Sequence, residues 1–500
     1  MRFNEFYKVL STGTIYPRWA PDFNNGFGIP LFNYVYPLPN YVASFFHLLG
    51  FSFIDSFKLN MIAASLTGSV FFFLWSRRYW GQLGGLVSSV FYTFSPYHFL
   101  DIYVRGSVGE VWALALFPGL LWGFHTFIQT KQRKFLLISA VFLFLLIMSH
   151  NILAVVFFSF FFMYALLLLS ETKNKVSYVK HFLLIVILGF SLSAPFWLPA
   201  ILETKYVVGL NISDPTEHFP KLYQLIYSSW GYGFSGEDRA GQMSFQIGIA
   251  NLIAVFGAIL LVIRDKKKEI IFFLSSFVFF LFLITPFSSE IWESIPFSSF
   301  IQFPWRLLSI LILISSFLAG SLVQKRPLVA LFLIVLTVSL GIRYAKAPFH
   351  HLRNDNYYFT KSNFTDGTNS PGNAFNTIWF DKSLKKTGRR LTSETAEAKI
   401  EIFENRSTLV KANVDSNTKG KLLVNIAYFP GWKVYINDKE PKIKVNDKGL
   451  FEFDVPKGKS LVAIIFEDTN IRKFSALLSL ISLFLMIGLF MKEKSIKIKK

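Results

Sequence analysis

Five hundred residues, 52% of them apolar and 59 of them phenylalanine, are too hydrophobic for one water-soluble domain, and the apolar residues gather in long uninterrupted blocks. The formal charge is +20, but the basic residues sit in short gaps between those blocks and at the extreme C-terminus, which is the positive-inside pattern and argues against a nucleic-acid partner. The chain has no cysteine, which excludes disulfides, thiolate metal sites and cysteine nucleophiles.

The opening stretch YPRWAPDFNNGFGIPLFNYVYPLPNY (16–41) carries five prolines, eight aromatic residues and two charges, and reads as a folded, ligand-facing loop. Its glycines Gly26 and Gly28 allow close backbone approach, and its aromatic faces suit sugar rings; the alternative is a loop that packs on the membrane surface. PLPNYVASFFHLL (37–49) is apolar but short, so it is expected as an interfacial or re-entrant helix.

Eleven spans follow, at about 55–76, 82–99, 110–128, 134–148, 151–170, 181–200, 244–263, 269–286, 304–323, 327–343 and 473–491. Basic clusters fill alternate gaps (Arg77 with Arg78; Lys131, Arg133 and Lys134; Lys266 to Lys268; Lys325 with Arg326) and the tail KEKSIKIKK, so that side is expected to be cytoplasmic. The parity puts residues 1–37 outside, and a short basic tail is a poor candidate for unaided translocation. A first helix preceding Met1 in a longer protein is therefore expected. The resulting plan is an external loop with its interfacial helix (1–54), a helical membrane domain (55–343), an external β-rich domain (344–472), a last span (473–491) and a basic cytoplasmic tail (492–500).

The β-rich part is marked by alternation in KIEIFE, LLVNIAYF, WKVYI, KIKV, FEFDV and LVAIIF, separated by turn residues, and predicts a small antiparallel sandwich from about 395 onward. The fold class is thus a polytopic α-helical membrane protein with a small external antiparallel β-domain near its C-terminus.

Ionisable groups at helix ends are the candidates for chemistry. SPYHFLDIYVRGSVGE (95–110) holds Asp101, Arg105 and Glu110. A carboxylate there suits a general base or a divalent-cation ligand, and Arg105 a bidentate phosphate contact; the plainer reading is a salt bridge, with Glu110 in the first turn of its helix. MSHN places His150 between two spans, as packing residue or as base. FIQFPWRLL puts Arg306 beside Trp305 at a helix mouth, either snorkelling or anchoring a lipid phosphate. APFWLPAILE ends on Glu203, and Glu237 with Asp238 lie in a polar loop. Arg18, Trp19 and Asp22 are the polar and flat-faced residues of the opening loop. No Walker A, GxGxxG, HExxH or nucleophile-elbow motif is present in the sequence.

EFYKVLSTGTIYPRWAPDFNNGFGIPLFNYVYPLPNY, YVRGSVGEVWALALFPG, MSHN, SAPFWLPAILE and IQFPWRLL resemble, in this order, the bacterial pyruvoyl-tetrahydropterin-synthase-related membrane proteins. AYFPGWKVYINDKE and KVNDKGLFEFDVPKGK are similar to the external domain of the related YfhO-like proteins. Both groups look like GT-C-type glycosyltransferases, and the resemblance implies transfer of a sugar from a polyprenyl-phosphate carrier to an extracytoplasmic glycan or polymer in the cell membrane. In that plan an acid follows the first transmembrane helix; MRFNEF aligns after that helix, so both are expected to be missing here. The positions that match are Arg18, Trp19, Asp22, Arg105, Glu110, His150 and Arg306. The resemblance implies Asp101, Glu110 and Asp22 as catalytic carboxylates, Arg18, Trp19, Arg105, His150 and Arg306 as substrate contacts, and Mg²⁺ or Mn²⁺ as the metal where one is used. Trp432 of PGW either faces a glycan or fills the sandwich core. The rival readings are a lipid-linked-sugar transporter, which would place charges at mid-membrane, and a non-catalytic envelope-assembly protein.

Overall fold

Apolar helices and an antiparallel sandwich divide the chain between two units in the computed structural model, which describes residues 1–209, 214–235, 241–294, 298–323, 325–347, 353–359, 373–385, 388–395 and 397–498. One unit takes Phe57–Ser193, Ile212–Leu352 and the end of the chain, and is helical. Among the described residues seven helices are long and apolar enough to cross a membrane, or eight when Lys268–Leu283 and Pro286–Ser294, bent by 84° at their junction, count as one.

That number is lower than eleven for two physical reasons. The expected spans 55–76 and 82–99 fall on one helical run, Phe53–Thr93, broken at Gly81, whose φ of +71° lies where glycine is favoured. Arg133–Ser149, Ile249–Asp265 and Lys268–Leu283 have 17, 17 and 16 residues. At about 1.5 Å per residue they reach only about 24–26 Å, short of a hydrocarbon core of about 30 Å.

Two helices form the centre of this unit. The most apolar windows of Val108–Thr130 and Pro304–Ser321 are 89% and 100% buried, against 28% for Pro327–Tyr344. Around them, small residues let backbones approach: a Cβ on Gly320 would lie 2.6 Å from the Gly84 carbonyl oxygen, and Ala250, Ala254 and Ala319 pack with Val87 and Phe91. The central helices carry Glu110 and Arg306 in their first turns, so the best-packed elements hold those side chains.

The other unit combines Met1–Ser56, Ala194–Asn211 and Arg353–Leu480. Its eight strands are β1 (Leu391–Ser393), β2 (Ala398–Arg406), β3 (Leu409–Ser416), β4 (Gly420–Ala427), β5 (Trp432–Ile436), β6 (Lys444–Val445), β7 (Leu450–Val455) and β8 (Gly458–Phe466). They form two antiparallel sheets in the orders β1-β4-β7-β6 and β2-β3-β8-β5. Alternation sets the inward faces: Val410, Ala412 and Val414 of β3 and Val462 and Ile464 of β8 meet Leu422, Val424, Phe451 and Phe453 of the first sheet.

The opening segment completes that core. After a helix over Arg2–Leu10, Trp19 and Phe27 enter the sandwich cluster, and Ala427 N–H bonds to the Phe27 carbonyl at 2.8 Å. Trp19 is fully buried, with Trp432 edge-on at 5.4 Å and Phe466 at 5.5 Å. Trp432 is likewise a core residue, 3% exposed, which decides between its two readings. The stretch expected as an interfacial or re-entrant segment is a helix over Leu38–Leu48.

Candidate functional site

The order of residues 95–110 builds most of the site. One helical turn, Pro96–Phe99, runs into a widened turn over Leu100–Val104, closed by Arg105 N–H bonding to the Leu100 carbonyl five residues back at 2.9 Å. Gly106, at φ +56°, reverses the chain, and Ser107 N–H bonds to the Asp101 carbonyl at 2.9 Å. The Val108–Thr130 helix then begins, with Glu110 in its first turn, where the helix dipole favours a carboxylate. Asp101, Arg105 and Glu110 converge because the widened turn and this reversal put their side chains on one side.

Both oxygens of Glu110 are held by cations. Arg105 donates through Nη2 to Oε1 at 2.6 Å and through Nη1 to Oε2, while the same Nη1 reaches Asp101 Oδ1. Arg306 Nε donates to Oε1 at 3.2 Å. Tyr97 donates its hydroxyl to Oε2 at 3.4 Å. His150 Nε2 stands 3.5 Å from Oε1; its Nδ1 accepts from Leu153 N–H at 3.1 Å, which leaves the proton of the neutral ring on Nε2, facing Glu110. Asp101 and Glu110 are fully buried.

The arginines are fixed from behind. Arg105 lies over the Trp305 ring at 4.6 Å and Arg306 over Phe303 at 4.9 Å; the two rings stack 9° from parallel. Arg306 Nη1 also donates to the Ile301 carbonyl and to Gln302 Oε1, each at 2.7 Å, from a Gln302 backbone at φ +70°.

Burial, reinforced by the neighbouring Glu110, pushes the Asp101 carboxyl well above the ordinary range against the pull of Arg105. Its Oδ2 is buried without a hydrogen-bond partner among the described residues, which fits the atom that carries the proton. Burial also lowers His150 to about 3, so its ring is neutral. A proton on Asp101 leaves two arginines facing one carboxylate beside a neutral imidazole, which makes the cluster net positive. That arrangement attracts an anion. It does not fit Mg²⁺ or Mn²⁺: Glu110 is committed to arginines, and no group of three or more His, Asp or Glu side chains converges among the described residues.

Asp101, Arg105, Glu110, His150 and Arg306 therefore share one site. Arg18, Trp19 and Asp22 belong to the other unit and have other neighbours. Arg18, 5% exposed, donates to Asn33 Oδ1 at 3.0 Å and to the Pro195 carbonyl at 3.1 Å, and its Nε lies 3.4 Å from Asp468. The structure gives Trp19 a packing role, both its neighbours being core rings. Asp22 pairs with Lys8 at 2.5 Å, and its N–H bonds to Glu5 at 2.9 Å. Glu203 is buried against Arg472 at 2.9 Å. Glu237 and Asp238 lie outside the described residues. Sequence reasoning missed Tyr97 and Gln302 as neighbours of the site; proximity in sequence to Asp101 and Arg306 was their one signal.

Such a chain, with several apolar helices and an ionic cluster where two central helices begin, is a polytopic membrane protein. A family model described as 6-pyruvoyl-tetrahydropterin synthase related domain, membrane protein, matches residues 32–346, and the chain belongs to this family. The model for the bacterial membrane protein YfhO matches residues 382–479, which include the whole sandwich. An uncharacterized protein of Lactococcus lactis subsp. cremoris (strain MG1363) is 25% identical over 218 residues, a match covering 41% of this chain and 35% of that protein. No solved structure matches.

Proposed function

We propose that this protein is a membrane glycosyltransferase that moves a sugar from a polyprenyl-phosphate carrier to an extracytoplasmic glycan or polymer. In this reading the chain crosses the membrane eleven times, with both arms at Gly81 counted and the three shorter helices crossing where the bilayer thins locally and flanking basic residues snorkel. The basic gaps and tail are cytoplasmic and the β-domain lies outside. The observation that carries the reading is the Arg105–Glu110–Arg306 cluster: two aromatic-backed guanidinium groups aimed at one carboxylate, beside a neutral carboxyl and a neutral imidazole.

Glu110 occupies the guanidinium forks that a phosphate fits equally well. A donor phosphate entering the cluster takes over those forks and releases Glu110 as a free carboxylate. The acceptor oxygen then bonds to the anomeric carbon as the bond from that carbon to the phosphate oxygen breaks. The hydroxyl proton passes to Glu110, and the departing lipid phosphate keeps the electron pair, its charge met by Arg105 and Arg306. Asp101, bearing its proton on Oδ2, donates a hydrogen bond to the phosphate.

One observation favours a second reading. Glu110 is fully satisfied by its present partners, as it would be in a structural ion lock of a non-catalytic assembly protein. Sugar transfer from radiolabelled polyprenyl-phosphate hexoses by the protein in lipid nanodiscs separates the two. Glu110→Gln and Arg306→Ala are expected to lower transfer by about 10²-fold or more. Wild-type rates in both variants, with the protein still folded by size-exclusion and thermal unfolding, would overturn the transferase roles.

A further inference from the structure

The short helix Leu222–Ile226 is built the wrong way round for water. Its amide residue Gln224 and Leu225 point inward, with Gln224 Oε1 accepting from Lys221 N–H at 2.8 Å, while Leu222, Tyr223, Ile226 and the following Tyr227 point outward. Tyr223 and Tyr227 are each 64% exposed. This stretch lies outside every helix long and apolar enough to cross a membrane, so its outward apolar face is not the flank of a span.

A second apolar edge lies beside it. Beyond Leu283 the chain turns by 84° from the axis of Lys268–Leu283, and the turned segment exposes Phe287, 74% accessible, and Ile291. Its Trp292 is buried, donating to the Leu283 carbonyl at 2.9 Å and meeting Phe219 edge-on at 6.3 Å, three residues before Leu222. With Lys268–Leu283 taken as the arm of a bent span that lies near the bilayer normal, a segment turned from it by 84° runs nearly parallel to the bilayer plane. The same loop reaches the arginine cluster: His218 is edge-on to Phe303 at 4.8 Å, and Phe303 underlies Arg306.

We propose that Leu222–Tyr227 and the turned segment Pro286–Ser294 form an interfacial collar that sits in the headgroup layer of the bilayer, at the end of the helical unit that carries the arginine cluster. The occupant of this surface is phospholipid. Mixed tyrosine and aliphatic exposure is the composition of a membrane–water interface, where rings with one polar end are favoured. The surface is continuous with the apolar helix Lys268–Leu283 through the bend at Leu283, and its exposed charged groups, Lys221, Glu290 and Glu293, alternate with the apolar side chains as they do at headgroup depth rather than in the hydrocarbon core. The inference depends on membrane insertion alone and stands apart from the transferase reading.

The absence of cysteine makes the test direct, because single cysteines can be introduced and labelled at will. A polarity-sensitive fluorophore is attached at Tyr223→Cys, Tyr227→Cys or Phe287→Cys in the full chain, reconstituted in phosphatidylcholine–phosphatidylglycerol vesicles. Leu260→Cys on the Ile249–Asp265 helix and Phe403→Cys on β2, both exposed, provide a membrane and a sandwich reference. Quenching at the three collar positions is expected to be several-fold stronger with lipids bearing a nitroxide near the headgroup than with nitroxides deep in the chain, and weak with aqueous iodide. Iodide quenching as strong as at Phe403→Cys, without lipid quenching, would overturn the collar, and so would preferential quenching by the deep nitroxide. No step reads sugar transfer, so loss of that activity leaves this result untouched.

Discussion

At the scale of single residues, the carboxyl groups differ by what surrounds them. Glu110 is ringed by arginines, while Glu5, 1% exposed on the Arg2–Leu10 helix, is held up to about 7, first by burial and then by Asp22, against the weaker pull of Lys8. Arg390 also faces this pair. A carboxyl raised from 4.5 binds its proton more tightly when folded, so its contribution to stability is full below pH 4.5 and is lost as pH rises through 7. Such a shift corresponds to a difference on the order of 3 kcal/mol. Glu5→Gln, which keeps a hydrogen-bonding end without a titrating proton, is expected to flatten the unfolding midpoint between those pH values. Retention of the wild-type slope would mean that Glu5 is ionised in the folded protein. The sequence made Asp101, Arg105, Glu110, His150 and Arg306 legible because ionisable groups at helix ends are costly beside a membrane. Glu5 was illegible, since an ionisable residue in a short polar helix normally faces water, and nothing local shows that it turns inward.

At the scale of elements, the strands were legible from their two-residue period, and β5 to β8 fall where the alternation and turn residues predict. What the local pattern could not show is which distant segment closes the core. Trp19 reads locally as a flat face in a proline-rich loop, yet it is packed against Trp432, more than four hundred residues away. Gly28 confirms how tight that insertion is: at φ +79°, an added Cβ would lie 2.5 Å from the Trp19 indole nitrogen. Trp19→Ala is therefore expected to cost about 3–5 kcal/mol in denaturant unfolding of the sandwich-bearing unit, the range for removing a large buried aromatic. A change below about 1 kcal/mol, the usual size for an exposed residue, would remove Trp19 from the core and return it to the candidates for sugar stacking.

At the scale of the molecule, the sandwich-bearing unit is assembled from three stretches of chain far apart in sequence, and a buried ionic network ties them together. Glu203, from Ala194–Asn211, receives Arg472 through Nη2 at 2.9 Å and Nε at 3.1 Å, Asn33 at 2.8 Å and Thr469 at 2.7 Å. Arg472 also donates to the Pro430 carbonyl at 3.0 Å and lies over the rings of Phe429 and Phe466. Sequence reasoning saw Glu203 as an outward carboxylate at a helix end, because its partner belongs to the start of the last apolar helix and pairing at that distance leaves no local trace. Arg472 is fully buried and Glu203 is 1% exposed, so desolvation is severe and the pair is worth less than its short distances suggest. Removing one partner is another matter, because it leaves the other charge buried alone. Glu203→Ala is expected to destabilise this unit by about 3–5 kcal/mol. Arg472→Met should cost a similar amount, whereas the double variant should cost about 2–3 kcal/mol less than the two losses summed, since neither charge is then left buried alone. A double-mutant cycle on thermal unfolding reads this as a coupling of about 2–3 kcal/mol, within the range for residues of one buried network. Additive losses would show that the two side chains act separately, and that the surrounding carbonyls and aromatic rings, rather than the ion pair, hold the three stretches together.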